Sequence, residues 1–118
     1  MYGLARDIDV TFLNERQLQQ VSIGRFQVIF SFDEEVSISV EGHFRYVSDS
    51  ETRDWRPGAN HAVCGALALL GVQVVKTTAS TLGSIELLFS NGDRLLITDA
   101  NKDTESYQIC GKGHTIVV

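Results

Sequence analysis

The run of residues from Val36 to Tyr46 constrains the fold more than any other part of the sequence. Every second residue in this run is apolar or glycine, and each residue between them is polar. A period of two places the two sets of side chains on opposite faces of a β-strand. The run therefore predicts one long strand with a buried face and a solvent-exposed face.

Shorter β-patterns precede and follow this run. Phe32 has the same parity as Val36, so a three-residue loop between them would place both apolar rows on one face of a sheet. The other predicted strands lie at Asp7–Leu13, near Val21–Phe32, at Val72–Ala79, at Ile85–Phe89, at Leu95–Thr98, at Tyr107–Cys110 and at Thr115–Val118.

The hairpin from Ile85 to Thr98 contains a register signal. One apolar row has only odd numbers, so odd residues must face odd residues and the loop must have odd length; the row is Ile85, Leu87, Phe89, Leu95 and Ile97. The predicted loop is Ser90–Gly92, with Gly92 in the left-handed conformation. Leu88 and Leu96 then lie on the opposite face, where a second layer or a homodimer partner is expected to cover them.

One helix is predicted. Asn60 can cap a strongly apolar segment that ends near Leu70, before Gly71. Such a helix would pack against the sheet. The expected fold class is α+β, a mostly antiparallel sheet of about seven to eight strands with one apolar helix near residues 60–70. Residues 1–118 are expected to form a single domain.

The charge balance excludes several classes of partner. Acidic residues outnumber basic ones, 15 to 10, and the net charge is −5. Nucleic acid and anionic membranes require basic residues, so neither is expected as a partner, whereas a basic protein is. The apolar stretch Ala62–Val75 is too short and too interrupted to span a bilayer. Without a signal-peptide pattern or a disulfide framework, a cytoplasmic location is expected.

Two patterns resemble metal sites. His61 and Cys64, together with Cys110 and His114, offer two imidazoles and two thiols, but neither pair forms the usual zinc knuckle. The segment Asp99–Glu105 resembles the start of a calcium loop but lacks its glycine and its closing glutamate. Core packing and a solvated acidic loop explain these residues better. No metal, no cofactor and no catalytic residue is predicted.

The polar segment Ser48–Asn60 is the predicted binding loop, together with Asp99–Ser106. Trp55 has two interpretations: an exposed anchor for a partner, or a side chain folded back to cover the sheet or the helix end. The predicted partner-binding residues are Trp55, Arg56, Asp49, Asp54, Asp99 and Asp103.

The segments Gln27–Asp33 and Val36–Glu41, with the turn Phe89-Ser-Asn-Gly-Asp93 and the segment Glu105-Ser-Tyr-Gln-Ile109, resemble a family of small uncharacterised bacterial proteins. The resemblance covers roughly residues 12–118. It implies an origin and a size, and no activity or site residue.

These observations predict a non-enzymatic bacterial protein that binds another protein, with an immunity or antitoxin-like factor as the specific form. The alternative is a small enzyme or ligand-binding domain with its site between helix and sheet. A structural or oligomeric module is a third interpretation, which a large isologous apolar patch would favour.

Overall fold

The computed structural model describes residues 10–58, 66–80, 83–98, 107–111 and 114–118. Within them the chain forms ten β-strands and a short 3-10 helix at Thr11–Leu13. The strands are β1 Leu18–Ile23, β2 Val28–Phe32, β3 Ser37–Val40, β4 His43–Val47, β5 Thr52–Trp55, β6 Val74–Ala79, β7 Ile85–Phe89, β8 Arg94–Thr98, β9 Tyr107–Gly111 and β10 His114–Val117.

The strands form two antiparallel sheets of five strands each. The first sheet has the order β1-β2-β3-β9-β10, and the second has the order β5-β4-β8-β7-β6. The inner rows of both sheets belong to one hydrophobic core. Phe30 of the first sheet meets Phe44 of the second edge to face, with ring centroids 5.2 Å apart. The fold is therefore a pair of sheets packed face to face, in place of the single sheet expected from the sequence.

The long alternating run forms two strands that belong to different sheets. β3 pairs with β2 and β9, whereas β4 pairs with β5 and β8. The chain crosses between the sheets at Glu41 and Gly42, and the prediction of one continuous strand was wrong. Because the crossing preserves parity, Val40 and Phe44 both face the shared core. The alternation alone does not reveal the break.

The expected α+β class was also wrong for the described residues. Residues 66–69 form a 3-10 turn, and no α-helix occurs in the described ranges. Residues 60–65 of the predicted helix lie outside those ranges.

Near the N-terminus, part of the predicted strand Asp7–Leu13 is the 3-10 helix Thr11–Leu13, and residues 7–9 are not described. Backbone bonding within a single turn replaced the cross-strand pairing that the alternation suggested.

The register prediction for the β7–β8 hairpin is confirmed. Leu88 pairs with Arg94, and the N–H of Phe89 donates to the carbonyl of Asp93 at 2.9 Å. The loop is Ser90–Gly92, and Gly92 has a φ of 90°. The β2–β3 hairpin has the predicted three-residue loop as well, because the N–H of Phe32 donates to the carbonyl of Val36 at 2.7 Å.

One side of the sandwich is closed by hydrogen bonds next to β1 and β6. The N–H of Leu18 donates to the carbonyl of Val72 at 3.1 Å, and the N–H of Val74 donates to the carbonyl of Arg16 at 2.8 Å. On the other side, β5 and β10 are the outer strands of their sheets. None of the described helical segments is long and apolar enough to cross a membrane.

Candidate functional site

The most organised polar cluster lies on the outer face of the second sheet. Antiparallel pairing places Arg45 of β4 opposite Asp54 of β5, and His43 opposite Thr98 of β8. All four side chains have the parity that points away from the core, because Phe44, Trp55 and the other inward residues alternate with them. The four residues His43, Arg45, Asp54 and Thr98 are called the His43 cluster below.

His43 is the centre of this cluster. Its Nε2 atom lies 2.9 Å from Oδ1 of Asp54, and its Nδ1 atom lies 2.9 Å from the hydroxyl of Thr98. The side chain of His43 is only 9% exposed although it points away from the core. An ionised carboxylate only accepts hydrogen bonds, so in the neutral ring Nε2 donates to Asp54 and Nδ1 accepts from Thr98. The cluster thus defines one tautomer.

Arg45 keeps Asp54 ionised. Its Nε and Nη2 atoms donate to the two carboxylate oxygens of Asp54 at 2.8 and 3.2 Å. This hydrogen-bonded pairing, with a smaller contribution from His43, lowers the pKa of Asp54 from 3.8 to about 2 against the opposing effect of partial burial. A two-point contact also fixes both side chains in place. Asp54 is therefore a permanently charged acceptor at ordinary pH.

The chain of hydroxyl, imidazole and carboxylate has the order used by hydrolytic triads. In it, the Thr98 hydroxyl would be the group polarised by His43, and Asp54 would orient the ring. The same cluster serves a structural purpose, because it satisfies a buried histidine on a sheet face. No group of three metal-ligating side chains occurs in the part of the chain that the structure describes.

Two half-buried leucines lie beside the His43 cluster. Leu96 lies between Glu86 and Arg45 in one cross-strand row, and Leu88 lies next to Arg94 in the adjacent row. The face thus has a small apolar centre surrounded by charges of both signs. That arrangement, an apolar centre inside a polar rim, is common in protein interfaces. We call this surface the leucine face; its members are Arg45, Asp54, Lys76, Glu86, Leu88, Arg94 and Leu96.

Trp55 does not have the exposed position that a binding anchor requires. Its side chain is 0% exposed and stacks on Phe44, with ring centroids 5.4 Å apart. Residues 52–55 form β5, so the expected long irregular loop is a strand over this stretch. The parity of β5 turns Trp55 inward, and burial of its large apolar ring stabilises the fold. The interpretation of Trp55 as an interface anchor was wrong.

The other predicted binding residues are dispersed. Asp54 joins the His43 cluster, whereas Asp49 and Arg56 are exposed at opposite ends of β5. Asp99 and Asp103 lie outside the described residues. Sequence reasoning missed the contact between His43 and Thr98, since it depends on pairing between β4 and β8, which are far apart in the sequence. The one sequence signal was the position of His43 in the outward row of the alternating run.

Only some of the cysteines and candidate metal ligands lie within the described residues. Cys110 is a free, half-buried thiol on β9. Cys64 and His61 lie outside the described residues, as does the acidic segment Asp99–Glu105. The side chain of His114 is likewise not described.

The model of a family of unknown function (DUF6188) matches residues 10–118. No curated protein and no solved structure matches the chain.

Proposed function

We propose that this chain, which belongs to a family of unknown function (DUF6188), is a non-enzymatic protein that binds another protein through its leucine face. The observation that supports this proposal is the half-buried pair Leu88 and Leu96 inside a ring of charges. A monomeric protein has little reason to place two leucines together on an outer sheet face.

The rigidity of the surrounding side chains adds support. Arg45 is held by two hydrogen bonds to Asp54, and His43 is held from both sides of its ring. Side chains that are already ordered lose little conformational freedom when a partner binds. A preorganised arginine next to an apolar centre is also the kind of residue that contributes most binding energy at interfaces.

Charge indicates the kind of partner. The chain has a net charge of −5, and an acidic protein attracts a basic partner over long range. The leucine face itself has both signs, with Lys76, Arg94 and Arg45 against Glu86 and Asp54. The net charge would then raise the association rate, whereas the charges of both signs on the leucine face would determine how the two proteins align in the complex. A small acidic bacterial immunity or antitoxin-like factor in the cytoplasm is the specific form that we propose.

Site-specific photocrosslinking tests the proposal. A photoreactive phenylalanine analogue is placed at Leu96, or at Ser31 on the outer face of the first sheet as the matched control. In the native host, Leu96 should give one discrete adduct with a different protein, and Ser31 should give none. Equal adducts at both positions, or no adduct at Leu96, would contradict the proposal. An adduct between two copies would instead indicate a homodimer through the leucine face.

The purified partner then allows a quantitative test. Leu96→Glu places a charge at the apolar centre and should weaken binding at least tenfold. Ser31→Glu, the same change on the other sheet, should leave the affinity unchanged. If the two variants bind equally well, the contact surface lies elsewhere. Neutralisation of a basic toxin by the wild type, and its loss in Leu96→Glu, would test the immunity form.

A second candidate function is favoured by the hydrogen-bonded order Thr98, His43, Asp54. This arrangement could activate the threonine hydroxyl for acyl transfer. Hydrolysis of an activated aryl ester that is lost in both Thr98→Val and His43→Asn would support it. An unchanged rate in either variant would contradict it, because each variant breaks the chain of hydrogen bonds at a different link.

A further inference from the structure

Within the described residues, one edge of β10 pairs with β9 and no strand pairs with its other edge. Val118 exchanges both of its backbone hydrogen bonds with Tyr107, at 2.9 and 3.2 Å. Along an antiparallel pair, hydrogen-bonded residues alternate with residues that are not hydrogen-bonded to the neighbouring strand. The backbone N–H and C=O groups of Ile116 therefore also point towards β9, whereas those of Thr115 and Val117 point away from it. The side chains of Thr115 and Val117 are exposed. This edge is a template for another strand.

Within the described residues, the other sheet edges are partly closed or charged. The two sheets bond to each other at the start of β1 and just before β6, as between Leu18 and Val72, and β6 carries the exposed Lys76. The edge strand β5 carries the exposed charges of Arg53 and Asp54, which discourage pairing with a further strand. By contrast, His114–Val117 contains no Asp, Glu, Lys, Arg or proline. β10 therefore lacks the common devices that prevent edge pairing.

The outer face of the first sheet extends to its edge strand β10. Neither of the two complete cross-strand rows on this face contains a charged side chain. One row is Ser22, Ile29, Ser39, Gln108 and Val117. The other row is Gln20, Ser31, Ser37, Cys110 and Thr115. Charged residues form 21% of the whole chain, so this face is depleted of them. Two copies of an acidic chain can approach here without placing like charges opposite each other.

We propose that a second copy of this chain pairs with β10 in an antiparallel arrangement and extends the first sheet across the dimer. A two-fold axis at Ile116 places Thr115 of each copy opposite Val117 of the other. These two residues hold the outward-facing N–H and C=O groups, so the arrangement satisfies all four groups on each copy. It also places the two half-buried Ile116 side chains next to each other at the axis.

Disulfide trapping tests this register. In a Cys64→Ala, Cys110→Ala background, Ile116→Cys places two thiols at a pair whose Cα atoms are about 4.5 Å apart, within the range for a disulfide. Val117→Cys is the matched control, because its two copies would lie about 8 Å apart. Mild oxidation should give a covalent dimer of the Ile116→Cys variant and mostly monomer of the control. Equal trapping of both variants, or better trapping of the control, would overturn the proposal.

Sedimentation provides a readout that needs no introduced cysteine. The wild type should show a concentration-dependent dimer up to millimolar concentration. Thr115→Pro removes an outward-facing N–H and leaves the bonds between β10 and β9 in place, so it should be monomeric with an unchanged far-ultraviolet circular dichroism spectrum. A wild type that stays monomeric throughout, or a Thr115→Pro variant that still dimerises, would overturn the proposal. So would a dimer lost on Leu96→Glu and retained by Thr115→Pro, since it would use the leucine face.

Discussion

The imidazole Nε2 of His43 lies 2.9 Å from the carboxylate Oδ1 of Asp54 on the outer face of the second sheet, where the neighbouring strands β4 and β5 place the two side chains. Arg45 binds the same carboxylate, so one acid serves two partners. This sharing makes Asp54 the residue on which the cluster depends.

We expect Asp54 to make stability depend on pH. Its pKa is lowered in the folded chain from 3.8 to about 2, mainly by the hydrogen bond from Arg45. The folded state then binds fewer protons than the unfolded state, so this stabilisation is present above about pH 4 and is lost as the pH falls towards 2. Because the Asp54 side chain is 42% exposed, solvent screening limits the effect to about 1 kcal/mol.

The measurement is the free energy of unfolding in urea at several pH values. The wild type should lose more stability between pH 5 and pH 2 than Asp54→Asn does, by about 1 kcal/mol. Asp49→Asn, which removes a carboxylate from the exposed turn between β4 and β5, is the control and should follow the wild type. A parallel pH profile for wild type and Asp54→Asn would refute the assignment.

Trp55 should stabilise the fold. Its ring is fully buried and stacked on Phe44, so Trp55→Ala should lower the free energy of unfolding by about 3–5 kcal/mol. Trp55→Phe should cost less, because it keeps an aromatic ring and removes an indole Nε1 that has no hydrogen-bond partner among the described residues. Chemical unfolding followed by circular dichroism gives both values. A loss below about 1 kcal/mol for the alanine variant would show that Trp55 is not packed as described.

Substitution of Gly92 should lower the stability of the fold because its backbone is in the left-handed conformation. Its φ is 90°, and an added Cβ would meet no atom within 4 Å. Steric crowding with distant residues is thus absent, and the cost of Gly92→Ala comes from the left-handed backbone, about 1 kcal/mol. Ser90→Ala in the same exposed loop is the control and should change the melting temperature little. If both variants melt together, the turn does not require glycine.

Tyr46 and Asp93 should be energetically coupled. The hydroxyl of Tyr46, which is 3% exposed as a residue, donates to Oδ2 of Asp93 at 2.6 Å. Burial, the largest cause, and this hydrogen bond raise the pKa of Tyr46. Tyr46→Phe should therefore cost about 1.5 kcal/mol in the wild type and clearly less in an Asp93→Ala background. Additive losses in the double-variant cycle would exclude the bond as a source of stability.

The parity of apolar residues predicted several local features correctly. The loops Asp33–Glu35 and Ser90–Gly92 have the lengths expected from matching apolar rows, because a one-residue change in register would expose a whole row. The last two strands, β9 and β10, also lie close to the predicted ranges Tyr107–Cys110 and Thr115–Val118. These features involve neighbouring strands, for which the alternation and the loop length together leave few choices.

Only the tertiary structure decided which strands share a sheet and which side chains meet. The run from Val36 to Tyr46 reads the same whether or not the chain crosses between sheets at Gly42, since both sheets face one core. Likewise, the contact of His43 with Asp54 depends on pairing between β4 and β5. The contact of His43 with Thr98 depends on pairing between β4 and β8, which lies far along the chain. Alternation determines which face of a strand is buried, but it contains no information about which strand becomes the neighbour. That choice depends on how the whole core packs.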